Sequence, residues 1–433
     1  MKKIRIGLLG LGQIGSGLYE ILISKKRQFE KQLGVSFEIV RIAEKYPNRR
    51  RKVRPPQSLV TKDAFDVVRD PSVDVVVELI GGTTFSGEII KTAFKEGKHV
   101  VTANKALLAE HGDEIFELAH RMRRWICFEA SVGGGIPCLK ALREGLVANN
   151  IESIYAIING TTNYILTQMT ETGMDFAEAL KGAQKKGYAE ADPTLDIEGV
   201  DAAHKLAILV RFAFGGRVKF SDIYSEGITR ISSDDIAFAK EFGYVIKLLA
   251  IAKKSKNGVE ARVQPTLLPK THILASVNQS FNAVMLRGDE TGDVMFYGRG
   301  AGPHPTASAV IADLMDISKR DIDGPVDDET VIRALGSEIE IKSITTILSR
   351  YYLRFYVIDQ PGVLAGISKI LGRHKVSISD MIQRERSVGK VVPLILLTHE
   401  APEKDVRAAI RVIDRLSFVK GKSQVIRIEE AGS

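Results

Sequence analysis

The order of apolar and polar residues along the first third of the chain predicts strands that alternate with helices. Residues 4–9 (IRIGLL) form a short, mostly apolar run, which is typical of a strand covered by helices on both faces. A glycine-rich turn at 10–15 and a helical pattern at 18–23 come next. The alternation continues with further strands at 37–43, 73–82 and 99–105. This pattern predicts an open, parallel α/β sheet of the doubly wound type.

The pattern becomes less regular after residue 133. From 134 to 322 it indicates an α+β domain, with strands at 151–158, 261–266 and 283–286 and helices at 176–186, 200–212 and 306–315. A charged linker is expected at 323–345. The last part, 346–433, has the order βαββαβ, with strands at 351–359, 376–381, 391–398 and 423–428. We therefore predict an α/β protein with an N-terminal Rossmann domain (1–133), an α+β domain and a ferredoxin-like C-terminal domain.

The composition fits a globular protein of several domains and narrows its surroundings. The chain has 433 residues, of which 44% are hydrophobic and 26% charged. No apolar run approaches the roughly 20 residues that span a bilayer, so we expect no membrane segment. Two cysteines, Cys127 and Cys138, form neither a disulfide framework nor a metal-ligand spacing, which favours a cytoplasmic location. The net charge of +8 includes one dense basic run, Arg49–Lys52, without interleaved aromatics, so no nucleic-acid binding is expected.

The glycine-rich turn has the spacing G-x-G-x-x-G between a strand and a helix, which indicates dinucleotide binding. Gly10 permits the tight turn, Gly12 permits close approach of a pyrophosphate, and Gly15 permits close packing of helix on strand. The helix N-terminus then faces the phosphates. The predicted cofactor-binding residues of the turn are Gly10, Leu11, Gly12, Gln13, Ile14 and Gly15.

The end of the second strand bears on the choice between NADP and NAD. It carries Arg41, with Glu44 and a cluster of arginines just beyond. Arg41 and its basic neighbours suit a ribose 2′-phosphate and favour NADP, whereas Glu44 would suit the free hydroxyl of NAD. A surface role for the arginines is equally open. Thr83 and Lys105 follow the next two strands at the sheet edge where ligands bind, and we assign both to the cofactor site.

An acidic stretch precedes and enters a predicted helix at 187–209. Its carboxylates are Glu190, Asp192, Asp196, Glu198 and Asp201. Asp201 and Lys205 stand four residues apart and share a helix face. A solvated ion pair would have this spacing too. A lysine in such a pair, if partly desolvated, is also suited to proton transfer during alcohol oxidation.

Several stretches together resemble the homoserine dehydrogenase family. They are GLGQIGSG (10–17), ELIGG (78–82), TANK (102–105), FEASVGGGIP (128–137), NGTTNYIL (159–166), the block at 187–209 and YGRGAGPHPTASAVIADL (297–314). They cover roughly residues 1–320 in the family's order. The resemblance implies NADP- or NAD-dependent interconversion of L-homoserine and L-aspartate 4-semialdehyde, on the route to threonine, methionine and isoleucine. It further implies that 134–322 is a catalytic and dimerisation domain, in a homodimer or homotetramer.

The resemblance also implies roles for individual residues. Lys205 matches the proton donor/acceptor with Asp201 beside it, and Lys105 lies between cofactor and substrate. Glu190 matches the residue that binds the substrate amino group, and Asp196 another substrate-site acid. Of the remaining charged residues of this stretch, Asp192 and Glu198 are interpreted as turn-forming and His204 as structural. Gly300 precedes the helix predicted at 306–315, which offers a second N-terminus for cofactor or substrate anions.

A monovalent cation site, with sodium the expected ion, is implied by the same resemblance. Its ligands would be the carboxylate of Glu129 and the backbone carbonyls of Val132, Gly134 and Ile136, a set of hard oxygen donors. The residues themselves are equally consistent with a glycine-rich hinge between domains.

The C-terminal βαββαβ order and the sequence DQPGVL at 359–364 resemble an ACT domain, a small amino-acid-sensing module. Asp359 and Gly362 would lie at the strand–helix turn that holds the effector, for which threonine is the natural candidate. An ACT domain that only promotes oligomerisation is the alternative. A second function, a non-catalytic amino-acid sensor, would be expected to lack Lys205, Asp201 or Glu190, and all three are present.

Overall fold

A computed structural model describes residues 1–47, 49, 51–320, 329–383 and 389–430. Its strands are β1 Lys2–Leu9, β2 Val35–Ala43, β3 Val60–Thr61, β4 Val75–Glu78, β5 His99–Thr102, β6 Ile126–Cys127, β7 Ile151–Ile157, β8 Tyr224–Ser225, β9 Tyr244–Ser255, β10 Gly258–Pro269, β11 Phe281–Gly288, β12 Gly292–Arg299, β13 Leu348–Ile358, β14 Ile378–Gln383, β15 Val391–Thr398, β16 Ala401–Pro402 and β17 Gln424–Ile428. Its α-helices are α1 Gln13–Ser24, α2 Lys26–Gln28, α3 Ala64–Val68, α4 Thr84–Lys95, α5 Lys105–Arg121, α6 Cys138–Lys140, α7 Gly160–Thr172, α8 Phe176–Lys185, α9 Thr194–Ile197, α10 Val200–Phe214, α11 Ser233–Glu241, α12 Pro303–Lys319, α13 Glu329–Ala334, α14 Val363–Arg373 and α15 Glu403–Ile413. The chain divides into two compact units. The first unit comprises residues 1–160, 201–223 and 281–340, and the second comprises 161–200, 224–280 and 341–433.

The first unit contains the predicted parallel sheet. Its strand order is β3-β2-β1-β4-β5-β6, the order of a dinucleotide-binding Rossmann fold. The inner strands are apolar because helices cover both faces, and Ile4, Ile6 and Leu8 of β1 are fully buried. Helix α12 packs against α1 and contributes apolar side chains to the same core. The first domain's core therefore includes a helix from a much later part of the chain.

The first unit also contains a three-stranded antiparallel group. β11 pairs with β12 on one side and with β7 on the other, and both pairings are antiparallel. Two residues, Ile158 and Asn159, separate the end of β7 from the start of α7, and β7 brings them to the site described below. The strands predicted at 151–158 and 283–286 lie within this group.

The second unit is built on one continuous sheet. The β9–β10 hairpin is antiparallel, and β10 continues in parallel to β17. The order then runs β17-β13-β15-β14. Helices α14 and α15 complete the βαββαβ order of β13, α14, β14, β15, α15 and β17, so the predicted ferredoxin-like ACT fold is confirmed.

Buried charges join the C-terminal domain to β10 and its neighbours within this unit. Arg427 of β17 donates to Glu403 and, at 3.0 Å, to Glu226. Arg262 of β10 donates to Glu429, the residue directly after β17, at 3.0 Å. The sheet and these ion pairs make the ACT domain a fixed extension of the β9–β10 hairpin.

Part of the expected linker and of the basic run lies outside the described residues. These are 321–328 of the linker region and Arg50 of the basic run, together with Asn48, 384–388 and 431–433. The described part of the linker is not structureless, because it contains α13 and a 3₁₀ turn at Ile344–Thr346. No helix in the described part of the chain is long and apolar enough to cross a membrane.

Candidate active site

The glycine turn between β1 and α1 has the geometry that a pyrophosphate requires. Gly10 has a φ of +93°, and a Cβ atom there would lie 2.9 Å from the Leu79 carbonyl oxygen. A Cβ at Gly15 would lie 2.1 Å from the Gly10 oxygen, so α1 packs on the turn only with glycine there. A Cβ at Gly12 would meet nothing within 4 Å. The space in front of Gly12 therefore remains open to a ligand.

The acid at the end of β2 braces this turn. Both oxygens of Glu44 accept backbone N–H bonds, from Leu11 and from Tyr46, each at 2.9 Å. Arg51 pairs with Glu44 at 2.9 Å and donates to the Leu11 carbonyl at 2.9 Å. Glu44 is therefore paired with an arginine and accepts two backbone hydrogen bonds, unlike an acid that is free to bind a ribose hydroxyl.

An open pocket lies next to the Glu44–Arg51 pair. Its lining residues are mostly basic: Lys45, Tyr46, Pro47, Arg49 and Lys62. Arg41, which the sequence assigned to the cofactor, points elsewhere, because its Nε donates to Asp70 at 2.7 Å. Hydrogen bonds from Ser72 and the neighbouring Arg41 lower the pKa of Asp70 to about 2. The basic pocket, rather than Arg41, is therefore the better placed group for a 2′-phosphate.

Polar groups at the ends of β4 and β5 hold the start of α5. The buried Glu78 accepts from the Ile80 and Gly81 amides and from Thr102 Oγ1 at 2.6 Å. Asn104 caps α5 through the Leu107 amide and donates to the Gly82 carbonyl at 2.6 Å. This network lies beside Thr83, directly before α4, and sets Lys105 as the first residue of α5.

Asp201 lies between two lysines. Its Oδ2 accepts from Lys205 Nζ at 2.6 Å and from Asn159 Nδ2 at 2.8 Å, and its Oδ1 lies 3.2 Å from Lys105 Nζ. Lys205 also donates to the Ile158 carbonyl at 2.7 Å. Asp201 and Lys205 are each only 8% exposed, so this is not the solvated helix pair that spacing alone allowed.

The charges of this cluster are strongly coupled. Burial alone would raise the pKa of Asp201, but Lys205, Lys105 and the hydrogen bond from Asn159 outweigh it and hold the pKa well below its usual range. The lowered pKa keeps Asp201 ionised at neutral pH. The charged acid fixes the position of Lys205, while the half-exposed Lys105 extends the positive charge towards solvent.

The second unit holds the other substrate-site acids that the sequence predicted. Glu190 is exposed on the segment between α8 and α9. Its backbone carbonyl accepts a hydrogen bond from the Gln184 side chain. Asp196 lies half-buried in α9. Asp192 accepts from the amide and hydroxyl of Thr194, as its interpretation as a turn-forming residue requires.

Glu129 lies buried in the first unit, at the proposed cation site. Its oxygens accept from the Leu139 and Lys140 amides, and its own amide donates to the buried Asp313. Burial raises the pKa of Glu129 to about 7 and that of Asp313 well above its usual value, and Arg143 opposes both shifts. One arginine carries less positive charge than two ionised acids need for balance. A monovalent cation would supply the remaining positive charge, so the residues fit such an ion. No group of three or more acids, histidines and cysteines that could hold a metal occurs among the described residues.

The glycines at this site permit close packing of two segments. A Cβ at Gly134 would lie 2.4 Å from the Gly300 carbonyl oxygen, and one at Gly300 would collide with Asn282. Gly300 therefore joins the segment after Glu129 to the loop before α12. A separate anion-binding role for Gly300 stays a prediction.

The ACT turn matches its sequence expectation in backbone form. Gly362 has a φ of +91° and lies directly before α14. Asp359 is largely buried, and its backbone exchanges hydrogen bonds with Lys390 and Gly389.

Three residues that form hydrogen bonds at the site have no predicted role in the sequence analysis. They are Glu78, Asn104 and Asn159, and all three stand in stretches that carry the family resemblance. Polar residues at the carboxyl ends of parallel strands are the signal that marks Glu78 and Asn104. Asn159 follows an antiparallel strand, so only its contact with Asp201 reveals it.

An open dinucleotide turn and a buried lysine–acid cluster in one unit define a nicotinamide-dependent oxidoreductase. Comparison with known families agrees: residues 10–129 match "Homoserine dehydrogenase, NAD binding domain", 137–315 match "Homoserine dehydrogenase", and 351–417 match "ACT domain". The chain belongs to the homoserine dehydrogenase family.

Relatives are similar over the full length. The chain is 43% identical over 437 residues to a homoserine dehydrogenase of Pseudomonas aeruginosa, covering 99% of this chain and 100% of that one. For the Bacillus subtilis homoserine dehydrogenase the identity is 39% over 435 residues, with both chains fully covered. The crystal structure of a homoserine dehydrogenase from Thiobacillus denitrificans superposes with a TM-score of 0.91 at 44% identity, covering 100% of this chain and 99% of that one. A hyperthermophilic archaeal homoserine dehydrogenase, described in complex with NADPH, gives a TM-score of 0.63 at 26% identity and covers 75% of this chain.

Proposed function

We propose that this chain interconverts L-homoserine and L-aspartate 4-semialdehyde, on the route to threonine, methionine and isoleucine. The observation that carries this proposal is the buried cluster of Lys205, Asp201 and Lys105, in the same unit as the open glycine turn. When bound, the nicotinamide accepts the hydride from the alcohol carbon or returns it to the aldehyde. The protein must then move one proton at the substrate oxygen.

Lys205 is the group we assign to that proton. Two of its three N–H positions bond Asp201 and the Ile158 carbonyl, which leaves one for the substrate oxygen. In the reducing direction Lys205 donates the proton to the carbonyl oxygen, and in the oxidising direction it accepts the hydroxyl proton. Asp201 orients it through their hydrogen bond. Lys105, half-exposed and 3.2 Å from Asp201, is assigned to the substrate and cofactor side of the cluster.

Glu190 and Asp196 are the acids that we assign to the substrate. An amino acid carries an ammonium group, which needs a carboxylate partner. Glu190 is exposed and has no hydrogen bond to its carboxylate within the described part of the chain, which supports its assignment to the amino group. We further propose domain boundaries at residues 133, 322 and 345 and a cytoplasmic location.

We also propose that the protein is a homodimer or a homotetramer. Light scattering of the purified protein would test this oligomeric state.

One assay tests the proposed reaction. The purified protein is mixed with L-homoserine and either NADP or NAD, and the absorbance of the reduced nicotinamide is followed. We expect turnover with at least one of the two. Absence of turnover with both, in protein shown to be folded, would reject the dehydrogenase and favour the non-catalytic sensor.

NADP is the cofactor that we expect to be preferred. The basic pocket beside the glycine turn and the neutralised Glu44 support this, and the NADPH complex of the archaeal relative is consistent with it. Replacing both Lys45 and Lys62 by glutamate should lower kcat/KM for NADP by about 100-fold, because two charge-assisted contacts are lost. The value for NAD should change by less than about threefold. Arg41→Ala, which removes contacts outside the pocket, is the matched control. An effect of Arg41→Ala on NADP larger than that of the double variant would assign the 2′-phosphate to Arg41.

A monovalent cation, with sodium the expected ion, is proposed at Glu129 and the carbonyls of Val132, Gly134 and Ile136. It would balance the charges of Glu129 and Asp313 and brace the segment that Gly134 packs against Gly300. A high-resolution map from sodium buffer should show an ion with ligands at cation distances. A water with ordinary hydrogen-bond distances there would reject the site.

Feedback control through the ACT domain, with threonine as effector, is the regulation that we propose. Asp359 and Gly362 form the turn assigned to the effector. Asp359→Asn should raise the threonine concentration for half-maximal inhibition at least about tenfold, because a charged contact to the effector's ammonium group is lost. The exposed Glu400→Gln in the same domain is the control. If threonine has no effect on the unaltered enzyme, the domain serves oligomerisation alone.

A further inference from the structure

Helix α5 is not one continuous helix. His111 has a φ of −127° and a ψ of 18°, which break the helical path between residues 110 and 112. The segment 105–110 is therefore a separate short helix with Lys105 at its start. Asn104 holds the beginning of this segment through the Leu107 amide. Buried Leu107 packs the middle of the segment, and a contact at its other end would fix its orientation about the break.

Glu110 and His204 supply that contact. His204 Nε2 donates to Glu110 Oε1 over 3.0 Å, and the imidazole is almost fully buried. The ring stacks on Phe220, with centroids 4.4 Å apart. His204 is adjacent to Lys205 in α10, so this bond joins the end of the Lys105 segment to the helix that carries the proposed proton donor.

The rest of α5 is held independently to α10 and to the segment that follows α10. Beyond the break, Asp113 pairs with Arg211 at 2.6 Å and Glu117 pairs with Arg217 at 2.8 Å. Phe116 packs edge-to-face on a phenylalanine of α10, with centroids 5.7 Å apart. These contacts fix residues 112–121 whether or not Glu110 bonds His204.

We propose that Glu110 and His204 are positioning residues that hold Lys105 at contact distance from Asp201. The inference rests on the proposed function of the Lys105, Asp201 and Lys205 cluster, and it adds two residues to which that function gave no role. Neither of them touches the reacting atoms. They act through the geometry of the 105–110 segment, where a displacement of about 1 Å at the cluster can cost up to about 100-fold in rate.

Paired variants separate the bond from the bulk of the side chains. His204→Phe keeps a flat ring on Phe220 but has no N–H for Glu110. Glu110→Met removes the acceptor at similar length, and Glu110→Gln keeps an acceptor oxygen. Glu117→Met breaks the corresponding pair beyond the helix break and is the matched control.

Steady-state kinetics should separate these variants. We expect His204→Phe and Glu110→Met each to lower kcat at least about tenfold, with a smaller relative change in KM for the nicotinamide cofactor. The double variant should be no slower than the slower single one, because both changes remove the same bond. Glu110→Gln should recover most of kcat, and Glu117→Met should keep kcat within about twofold.

Hydrogen exchange measured by mass spectrometry tests the positioning without any turnover. Amides of 105–110 should exchange at least about tenfold faster in Glu110→Met, while those of 112–121 keep their rates. Unchanged exchange at 105–110, or a kcat within twofold of the unaltered enzyme for both His204→Phe and Glu110→Met, would overturn the proposal. If the unaltered protein does not turn over homoserine, the proposed function fails, and the exchange data alone then decide whether Glu110 and His204 hold the segment.

Discussion

Replacing Lys205 with methionine should lower kcat for homoserine oxidation about a thousandfold and leave the Kd for the nicotinamide cofactor within about twofold. The physical reason is the loss of the group that moves the proton, which normally contributes between about a hundredfold and ten-thousandfold to a rate. Methionine has a similar length, so the helix packing is preserved. Asp201 keeps Lys105 and Asn159 as partners and is not left as an unpaired buried charge.

Lys205→Arg distinguishes proton transfer from charge. Arginine can still pair with Asp201, but its guanidinium does not give up a proton in a protein. If Lys205 moves the proton, the arginine variant should be as slow as the methionine variant. Recovery of more than about a tenth of the original kcat by arginine would mean that Lys205 supplies only charge. Stopped-flow kinetics and cofactor fluorescence give the rate and the Kd.

The pairing of Asp201 with Lys205 was open to prediction because it is local. Helix geometry places residues four apart on one face, so their spacing alone predicts the contact. The burial that turns this pair into a chemical site comes from residues far away in the chain. Lys105 and Asn159 reach Asp201 from other elements, and no pattern along the sequence specifies those distances.

The cofactor turn shows the same division. Its glycine spacing reflects a backbone requirement that is met within six residues. Gly10 and Gly15 have the turn and packing geometry that the spacing predicts, and Gly12 leaves open space. The side chains around it were harder to assign, because one acid or arginine has several partners within reach. Glu44 bonds Leu11 across 33 residues, and Arg41 bonds Asp70 across 29. The partner of each side chain is set by which groups the fold brings close to it.

The joining of the ACT domain to the β9–β10 hairpin was not predicted at all. The βαββαβ order was visible because each element has its own pattern, but pairing of β10 with β17 joins strands more than 150 residues apart. Parallel pairing at an edge leaves no turn signal between the two strands. The buried charges at this junction likewise look like surface residues in the sequence. Asp235 and Arg354 are the clearest example.

Replacing Asp235 with alanine should lower the free energy of unfolding of the second unit by about 3–5 kcal/mol. Asp235 is fully buried and accepts two bonds from Arg354, at 2.6 and 3.0 Å, and one from the Tyr352 hydroxyl at 3.1 Å. It also closes the capping box of α11 with Ser232. Alanine leaves the Arg354 charge buried without its partner, and this desolvated charge is the main cost. Urea unfolding followed by tyrosine fluorescence measures the loss.

The adjacent Asp234 provides the control, because among the described residues its side chain bonds only the partly exposed Tyr356 hydroxyl, at 2.6 Å. Asp234→Ala should cost no more than about 1 kcal/mol. A double variant, Asp235→Leu with Arg354→Met, should recover more than half of the loss, because replacing both charges with apolar groups removes the desolvation cost. If the double variant is less stable than Asp235→Ala, the destabilisation comes from lost packing and capping at α11. If it is at least as stable as the unaltered protein, the ion pair fixes how β13 docks on α11 without itself stabilising the fold, since an apolar pair then holds the ACT domain at least as firmly.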